Sequence, residues 1–227
     1  MSTHRPTVVV LDHGAPTAQL VTQRLRELGV FSEFVRVVEV DALAEVRDLA
    51  GIVLCTGTDA AAIDAVRAVA PRLLDTGRPV LALGAAFSAF CAALGAELGA
   101  EESAADLLAA IEVRAESPLL RGTPWQQQVW MASGRPVLRA PRGFEVLAFD
   151  ESSGLPAVVV DDSRGLFAVR FAPEVGHTEF GMQLLENFVR QICGVSQAWD
   201  RRRFVEEQSD AIGRLTGEHR VLCPISG

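Results

Sequence analysis

The sequence predicts an α/β fold with a doubly wound, mostly parallel sheet and helices on both faces. Two observations support this prediction. In the first hundred residues, short apolar runs alternate with stretches whose apolar residues recur three or four positions apart. The connections are short, and runs such as residues 51–54 are continuously apolar, which is typical of parallel strands buried on both faces. Strands and helices that alternate in this way form parallel sheets through right-handed crossovers.

The first half of the chain contains four predicted strand–helix units. Residues 7–11 include three consecutive valines and predict the first strand. A helix follows, and Gly29 ends it. Its apolar face is made by Ala18, Val21, Leu25 and Leu28. The other elements predicted here are strands at residues 31–38, 51–54 and 79–83, and helices at residues 41–48, at about 59–74 and after residue 84.

The second half is richer in strand patterns, and turn signals such as Ser152-Ser153-Gly154 predict antiparallel pairing. The predicted strands are at residues 111–114, 127–132, 144–149, 156–160 and 166–171. A last core helix is predicted from Thr178, and Gly194 ends it. A charged helix at residues 201–215 follows as a connector. The prediction is therefore a small antiparallel portion and a C-terminal connector helix beside the parallel sheet.

Composition narrows the classes of function. The net charge of -8 argues against binding a nucleic-acid backbone, which needs clustered positive charge. No apolar stretch reaches the roughly 20 residues that a membrane span needs, and no signal peptide is recognisable, so we expect a cytoplasmic protein. None of the four cysteines forms a C-x-x-C pair, so we expect no metal site and no cofactor.

Several short segments, taken together and in their order along the chain, form a specific sequence pattern. They are VLDHG at residues 10–14, TAQLV at 17–21, RLRELGVFSE at 24–33, WM at 130–131, FAPEVGHT at 171–178, ICG at 192–194, Trp199 and FVEE at 204–207. In this order they resemble the class I glutamine amidotransferase domain of GMP synthetases and its connector. The resemblance implies an amidotransferase-like domain over residues 1–194. It implies that residues 195–227 are the connector and the start of an ATP-pyrophosphatase-like domain.

The resemblance also places the family's catalytic positions on this chain. In the family, a cysteine at a sharp strand-to-helix turn attacks the glutamine amide, a histidine moves the proton and a carboxylate orients the histidine. The matching positions here are Gly84, Ala172 and Glu174. Gly84 has no side chain and Ala172 has no imidazole, so only the carboxylate remains. On this basis we expect a degenerate domain that is not a glutaminase and has a structural or regulatory role.

Neighbouring positions differ from the family in the same way. Thr56 and Gly57 stand where the family has the Gly-Gly of its oxyanion turn, and Ala132-Ser133 replaces a Ser-His pair. Two alternatives to a structural role stay open at this point. One is altered chemistry in the same pocket, using Cys55, Glu174 or His177. The other is a sensor whose former glutamine pocket binds a small molecule.

The C-terminal residues resemble the beginning of a phosphate loop, but the sequence stops after Ser226-Gly227. We therefore expect either a piece of a longer GMP-synthetase-like protein, which is slightly favoured, or a split protein. The expected partner is an ATP-pyrophosphatase domain, in cis or in trans, that uses ammonia or another nucleophile in purine nucleotide or specialised metabolism. Trp199 and Phe204 are expected to pack against this partner or to mediate a homodimer.

Overall fold

The computed structural model of the chain describes residues 6–58, 60–100, 107–196 and 199–217. The strands are β1 (Thr7–His13), β2 (Phe31–Arg36), β3 (Leu49–Thr56), β4 (Val80–Leu83), β5 (Glu97–Leu98), β6 (Leu107–Val113), β7 (Gln126–Met131), β8 (Val137–Arg139), β9 (Glu145–Asp150), β10 (Pro156–Asp161) and β11 (Leu166–Val169). The α-helices are α1 (Ala18–Glu27), α2 (Ala60–Asp75), α3 (Ala86–Ala93), α4 (Gly181–Asn187) and α5 (Arg201–Thr216). A π-helical turn, Phe188–Ile192, continues α4.

Nine of these strands form one mixed sheet in the order β2-β1-β3-β4-β11-β10-β9-β6-β7. The first five are parallel, and the last four are antiparallel to their neighbours. The predicted fold class is therefore confirmed. The antiparallel strands extend the same sheet, and β5 and β8 form a separate two-stranded sheet.

Helices cover both faces of the parallel half. Successive residues of a strand point to opposite faces, so β1 serves two cores. Val8 and Val10 pack in the cluster that includes residues of α1 and α4. Val9 and Leu11 pack in the cluster that includes residues of α2 and α3. This burial on both faces explains why the parallel strands read as continuous apolar runs.

The antiparallel half curls until the end of β7 meets the residues that follow β11. Met131 forms a bridge with Phe171, and Ala172 N donates to Trp130 O at 2.9 Å. Ala132 N donates to Arg170 O at 3.0 Å. These bonds pair the end of an edge strand that would otherwise expose its backbone groups.

The structure differs from the sequence prediction in a few boundaries. The segment expected as a helix at residues 41–48 is a 3₁₀ helix, Val37–Glu45. The last core helix begins at Gly181, because the Thr178 hydroxyl accepts from Trp130 N and donates to Ala172 O instead of capping a helix that starts there. The β5–β8 pair was not predicted, since strands of two and three residues show no alternation.

Gly181 allows close contact between α4 and the loop that contains Ala172 and Glu174. A Cβ added at Gly181 would lie 2.0 Å from Pro173 O. We predict that Gly181→Ala lowers the free energy of unfolding by about 2–3 kcal/mol, because the backbone must shift to relieve the overlap. Urea unfolding measures this, with Gly176→Ala as the control, since a Cβ there meets no atom within 4 Å. Equal losses in both variants would contradict the prediction.

Candidate functional site

The candidate site lies where the carboxyl ends of the parallel strands meet. β4 ends at Leu83 and α3 begins at Ala86, so the chain turns sharply between them. Gly84 occupies this turn with φ of +58°, a conformation that glycine adopts without the strain of other residues. Its N–H donates to Val169 O at 3.0 Å, which fixes the turn against β11. The structure thus places Gly84 at a strand-to-helix elbow.

The space beside Gly84 admits a side chain. A Cβ added at this position would have one neighbour within 4 Å among the described residues, the Ala132 Cβ at 3.5 Å. This is an ordinary van der Waals separation. The elbow therefore keeps the backbone geometry and the room of a nucleophile turn, although Gly84 itself has no atom that could attack a carbonyl.

The loop after β11 carries Ala172 and Glu174 and is fastened on two sides. Thr178 Oγ1 donates to Ala172 O at 2.6 Å and accepts from Trp130 N at 3.0 Å. Arg24 Nε donates to Glu174 O at 3.0 Å from α1. These bonds use backbone atoms of the loop, so they hold it in place whatever the side chains at positions 172 and 174 do.

Glu174 is a buried carboxylic acid with 3% of its surface exposed. Burial raises the pKa of its carboxyl above the usual value, and a hydrogen bond from the Thr17 side chain opposes this shift. Its Oε2 atom has no hydrogen-bond partner among the described residues. A buried polar atom without a hydrogen-bond partner is costly to the fold.

In the predicted oxyanion turn, Thr56-Gly57, the glycine N–H is bonded within the fold. Thr56 ends β3 and Gly57 follows it, and β3 lies beside β4, which leads into the elbow. The Gly57 N–H donates to His13 O at 2.9 Å, so it is already used in the fold. Thr56 is buried, and its Oγ1 has no hydrogen-bond partner among the residues that the structure describes.

The structure gives Cys55 and His177 different surroundings. Cys55 packs in the core cluster below α1, and burial raises the pKa of its thiol well above the usual value, with smaller contributions from Glu174 and Asp12. A thiol in this state is a weak nucleophile. His177 is exposed and stacks on Trp130 with ring centroids 4.9 Å apart.

Among the remaining predicted site residues, Trp199 lies away from the elbow. Trp199 has a backbone N–H that donates to Gly29 O at 3.3 Å, and it lines a groove of about 970 Å³ beside α1. The Phe204 side chain, Ser226 and Gly227 lie outside the described residues. Within the described ranges, no group of three or more His, Cys, Asp or Glu side chains could hold a metal ion. In the same ranges, every helix is too short or too polar to cross a membrane.

Sequence reasoning missed the residues that hold the site together. The roles of Thr178, Arg24 and Thr17 depend on contacts between segments that are far apart in the chain. The sequence signal that could have found them is their position in the ordered segments: Thr17 begins TAQLV, Arg24 begins RLRELGVFSE and Thr178 ends FAPEVGHT.

Comparisons with known proteins define the class of the chain. The family model described as glutamine amidotransferase class-I matches residues 9–192. A GMP synthase (glutamine-hydrolyzing) of Staphylococcus aureus is 32% identical over 228 residues, which are 100% of this chain and 44% of the relative. A protein of Halalkalibacterium halodurans, provisionally named a GMP synthase (glutamine-hydrolyzing), is 33% identical over 97% of this chain and 43% of its own length. The chain thus spans less than half of these relatives.

Solved structures of other proteins have the same fold as this chain. A protein of Thermoplasma acidophilum, provisionally described as one subunit of a GMP synthase, superposes with a TM-score of 0.73 and 22% identity, covering 91% of this chain and 98% of that one. A glutamine amidotransferase of Thermotoga maritima gives a TM-score of 0.61 and 14% identity over 93% of this chain and 94% of that chain.

This chain belongs to the class I glutamine amidotransferase family, as the family model and the relatives establish. The expectation that it is not a glutaminase is contradicted by these comparisons. The relatives are named glutamine-hydrolyzing, and the solved structures include a glutamine amidotransferase, so the findings point to glutaminase activity and not to its absence. The difference from the family lies in two side chains, at positions 84 and 172, whereas the similarity extends over the whole domain.

The elbow provides a direct test of what positions 84 and 172 contribute. We predict that Gly84→Cys combined with Ala172→His raises the rate of glutamine hydrolysis about a hundredfold or more over the unmodified chain, because it adds a thiol and a proton carrier near Glu174. Ammonia release measures the rate. The control pairs Ala172→His with Gly122→Cys, at another glycine with positive φ and open space. The idea fails if both double variants hydrolyse glutamine equally fast.

The raised pKa of Glu174 predicts a pH-dependent stability. Between the usual carboxyl pKa and the raised pKa, the folded chain keeps a proton that the unfolded chain has released, so Glu174 destabilises the fold increasingly as pH rises through this interval and by a constant amount above it. Arg24 and Cys55 are titratable groups whose charges interact with it. We expect Glu174→Gln to be more stable than the unmodified chain, by a margin that grows from about pH 4, near the usual carboxyl pKa, as pH rises and levels off once the raised pKa is passed.

Urea unfolding across this pH range measures the margin. Glu151→Gln serves as the control, because Glu151 is an exposed residue of a turn. A margin for Glu174→Gln that stays constant with pH, or that shrinks as pH rises, would contradict the prediction.

Proposed function

We propose that this chain is the amidotransferase domain of a GMP-synthase-like protein and that it works by docking on an ATP-pyrophosphatase-type ligase, in cis or in trans. The observation that carries this proposal is the extent of the match. The similarity to a GMP synthase covers the full length of this chain, so it continues past residue 192, where the family model ends. In such an assembly the ligase activates a carbonyl oxygen with ATP, and a nitrogen donor displaces AMP.

The surface near the C-terminal helix supports a docked arrangement. Trp199, α1 and Val205 line the groove of about 970 Å³, and Phe34 at its edge is 41% exposed. On α5, Val205, Ile212 and Leu215 are exposed by 56%, 52% and 87%. Residues spaced seven and three apart lie on one side of a helix, so these side chains form a single apolar strip. Exposed apolar strips of this kind mark surfaces that a partner covers.

The relatives' names and the groups at the elbow point to different donors of nitrogen. The relatives' names state glutamine hydrolysis, while Gly84 has no thiol with which to form a thioester. Glutamine and free ammonium are therefore the two donors to compare, and docking is the part of the proposal common to both. In either case the chain positions or stimulates the ligase.

The test is AMP release by the cognate ATP-pyrophosphatase domain, with and without this chain, in saturating ammonium or in glutamine. We expect the chain to raise the rate with at least one donor and to form a complex with the ligase. Val205→Asp should weaken that complex about tenfold, because it places a charge in an apolar contact. Analytical ultracentrifugation measures the affinity.

Arg214→Glu is the matched control, since position 214 lies on the opposite side of α5 from Val205. Absence of a complex together with an unchanged rate would overturn the docking proposal. A complex that both substitutions weaken equally would show that overall charge, and not the apolar strip, governs binding.

A further inference from the structure

A cavity lies at the opposite end of β6 and β7 from the elbow. β7 ends at Met131, which bridges Phe171 just after β11. The cavity is formed by the loop that joins β6 to β7, residues 114–125, together with the end of β6. Its volume is about 410 Å³, which is within the range of small-molecule sites. The length of β7 separates the cavity from the family's catalytic positions.

Two buried side-chain amides hold the loop around the cavity in a fixed shape. Asn187 of α4 donates through Nδ2 to Leu119 O at 3.0 Å and to Arg121 O at 2.8 Å. Gln127 of β7 donates through Nε2 to Pro124 O at 3.3 Å. These bonds order the backbone of the loop before any ligand enters, which lowers the entropic cost of binding.

The cavity has an apolar floor and an aromatic wall. Val113 and Leu120 line it, and both side chains are buried. Trp125 also lines it, with 56% of its surface exposed. An indole ring offers a large apolar face on which another apolar or aromatic group can pack. The cavity therefore favours a ligand that carries such a group.

Two exposed side chains of opposite charge, Glu116 and Arg121, line the same cavity. Within the described ranges, the Glu116 carboxylate has no hydrogen bond and no ion pair. The Arg121 guanidinium donates from Nη1 to Gln191 Oε1 at 3.2 Å. Because a guanidinium has five N–H donors, four remain for an anion. The cavity thus presents an acceptor for a cationic group and donors for an anionic group.

These two charges select a ligand that carries both signs. A simple cation would be repelled by Arg121, and a simple anion would be repelled by Glu116. A free α-amino acid carries an ammonium group and a carboxylate on one carbon atom, so it satisfies both side chains through charge-assisted hydrogen bonds. A large apolar side chain on the same carbon matches the floor and the indole of the cavity.

We propose that the loop between β6 and β7 forms a binding site for a free α-amino acid with a large apolar or aromatic side chain. The ammonium group of the ligand donates to the Glu116 carboxylate, and its carboxylate accepts from the Arg121 guanidinium. Its side chain packs on Trp125. The site goes beyond the proposed docking on a ligase and does not depend on it.

The test is a titration of the folded chain with L-phenylalanine, followed by two-dimensional ¹H–¹⁵N NMR spectra. We expect saturable shifts of the backbone amides of Gly122 and Thr123, with a dissociation constant on the order of a millimolar. Phenethylamine lacks the carboxylate and phenylpropionate lacks the ammonium group, so each should bind at least tenfold more weakly. L-alanine should also bind at least tenfold more weakly, because it has no large side chain to pack on the indole.

Three variants assign the site. Trp125→Ala, Glu116→Gln and Arg121→Gln should each weaken the binding of L-phenylalanine at least tenfold. Leu138→Ala and Glu151→Gln are the matched controls, because each changes the same kind of group at an exposed position outside the cavity, and both should bind as the unmodified chain does.

Three results would each overturn the proposal. They are the absence of saturable binding, equal affinity for L-phenylalanine and for either ligand with a single charge, and unchanged affinity in any of the three site variants. Because these spectra use the chain alone, failure of docking to a ligase does not affect them.

Discussion

Strand β11 joins the parallel and the antiparallel halves of the sheet, and the geometry of the site depends on this junction. It pairs in parallel with β4 on one side and antiparallel with β10 on the other. From Val169 at its end to Ala172, the chain bonds to Gly84 and to the end of β7 within four positions. The elbow, the end of β7 and the loop with Glu174 are therefore positioned by one stretch of backbone. A shift of this stretch would move all three together.

The backbone of the site is independent of the side chains at the catalytic positions of the family. Gly84 holds the turn through its N–H and a positive φ, and the loop at Ala172 is held through its backbone and the Thr178 hydroxyl. None of these bonds needs a thiol or an imidazole. Similarity over the whole domain reflects this scaffold, whereas the prediction of lost glutaminase activity rested on two side chains within it.

Most of the fold, and a smaller part of the site, could be predicted from the sequence. Parallel strands and helices were predictable because their apolar patterns are local, as in residues 51–54. The curling that brings Met131 to Phe171 was not, because it joins segments 40 residues apart in the chain and depends on how the strands bend. The environment of Cys55 follows from which face of β3 it occupies, and only the register of the sheet decides that.

Glu174 is not needed to hold its own loop. The Thr178 hydroxyl, the Arg24 guanidinium and the contact between Pro173 and Gly181 fasten that loop through its backbone. A buried carboxyl with an unused oxygen costs stability, so its presence is not explained by folding. Groups that a fold keeps at such a cost are characteristic of places where a ligand binds. The loop is supported through its backbone whereas the carboxyl is not supported at Oε2, so the burial of Glu174 is better explained by the carboxylate position it occupies in the family than by folding.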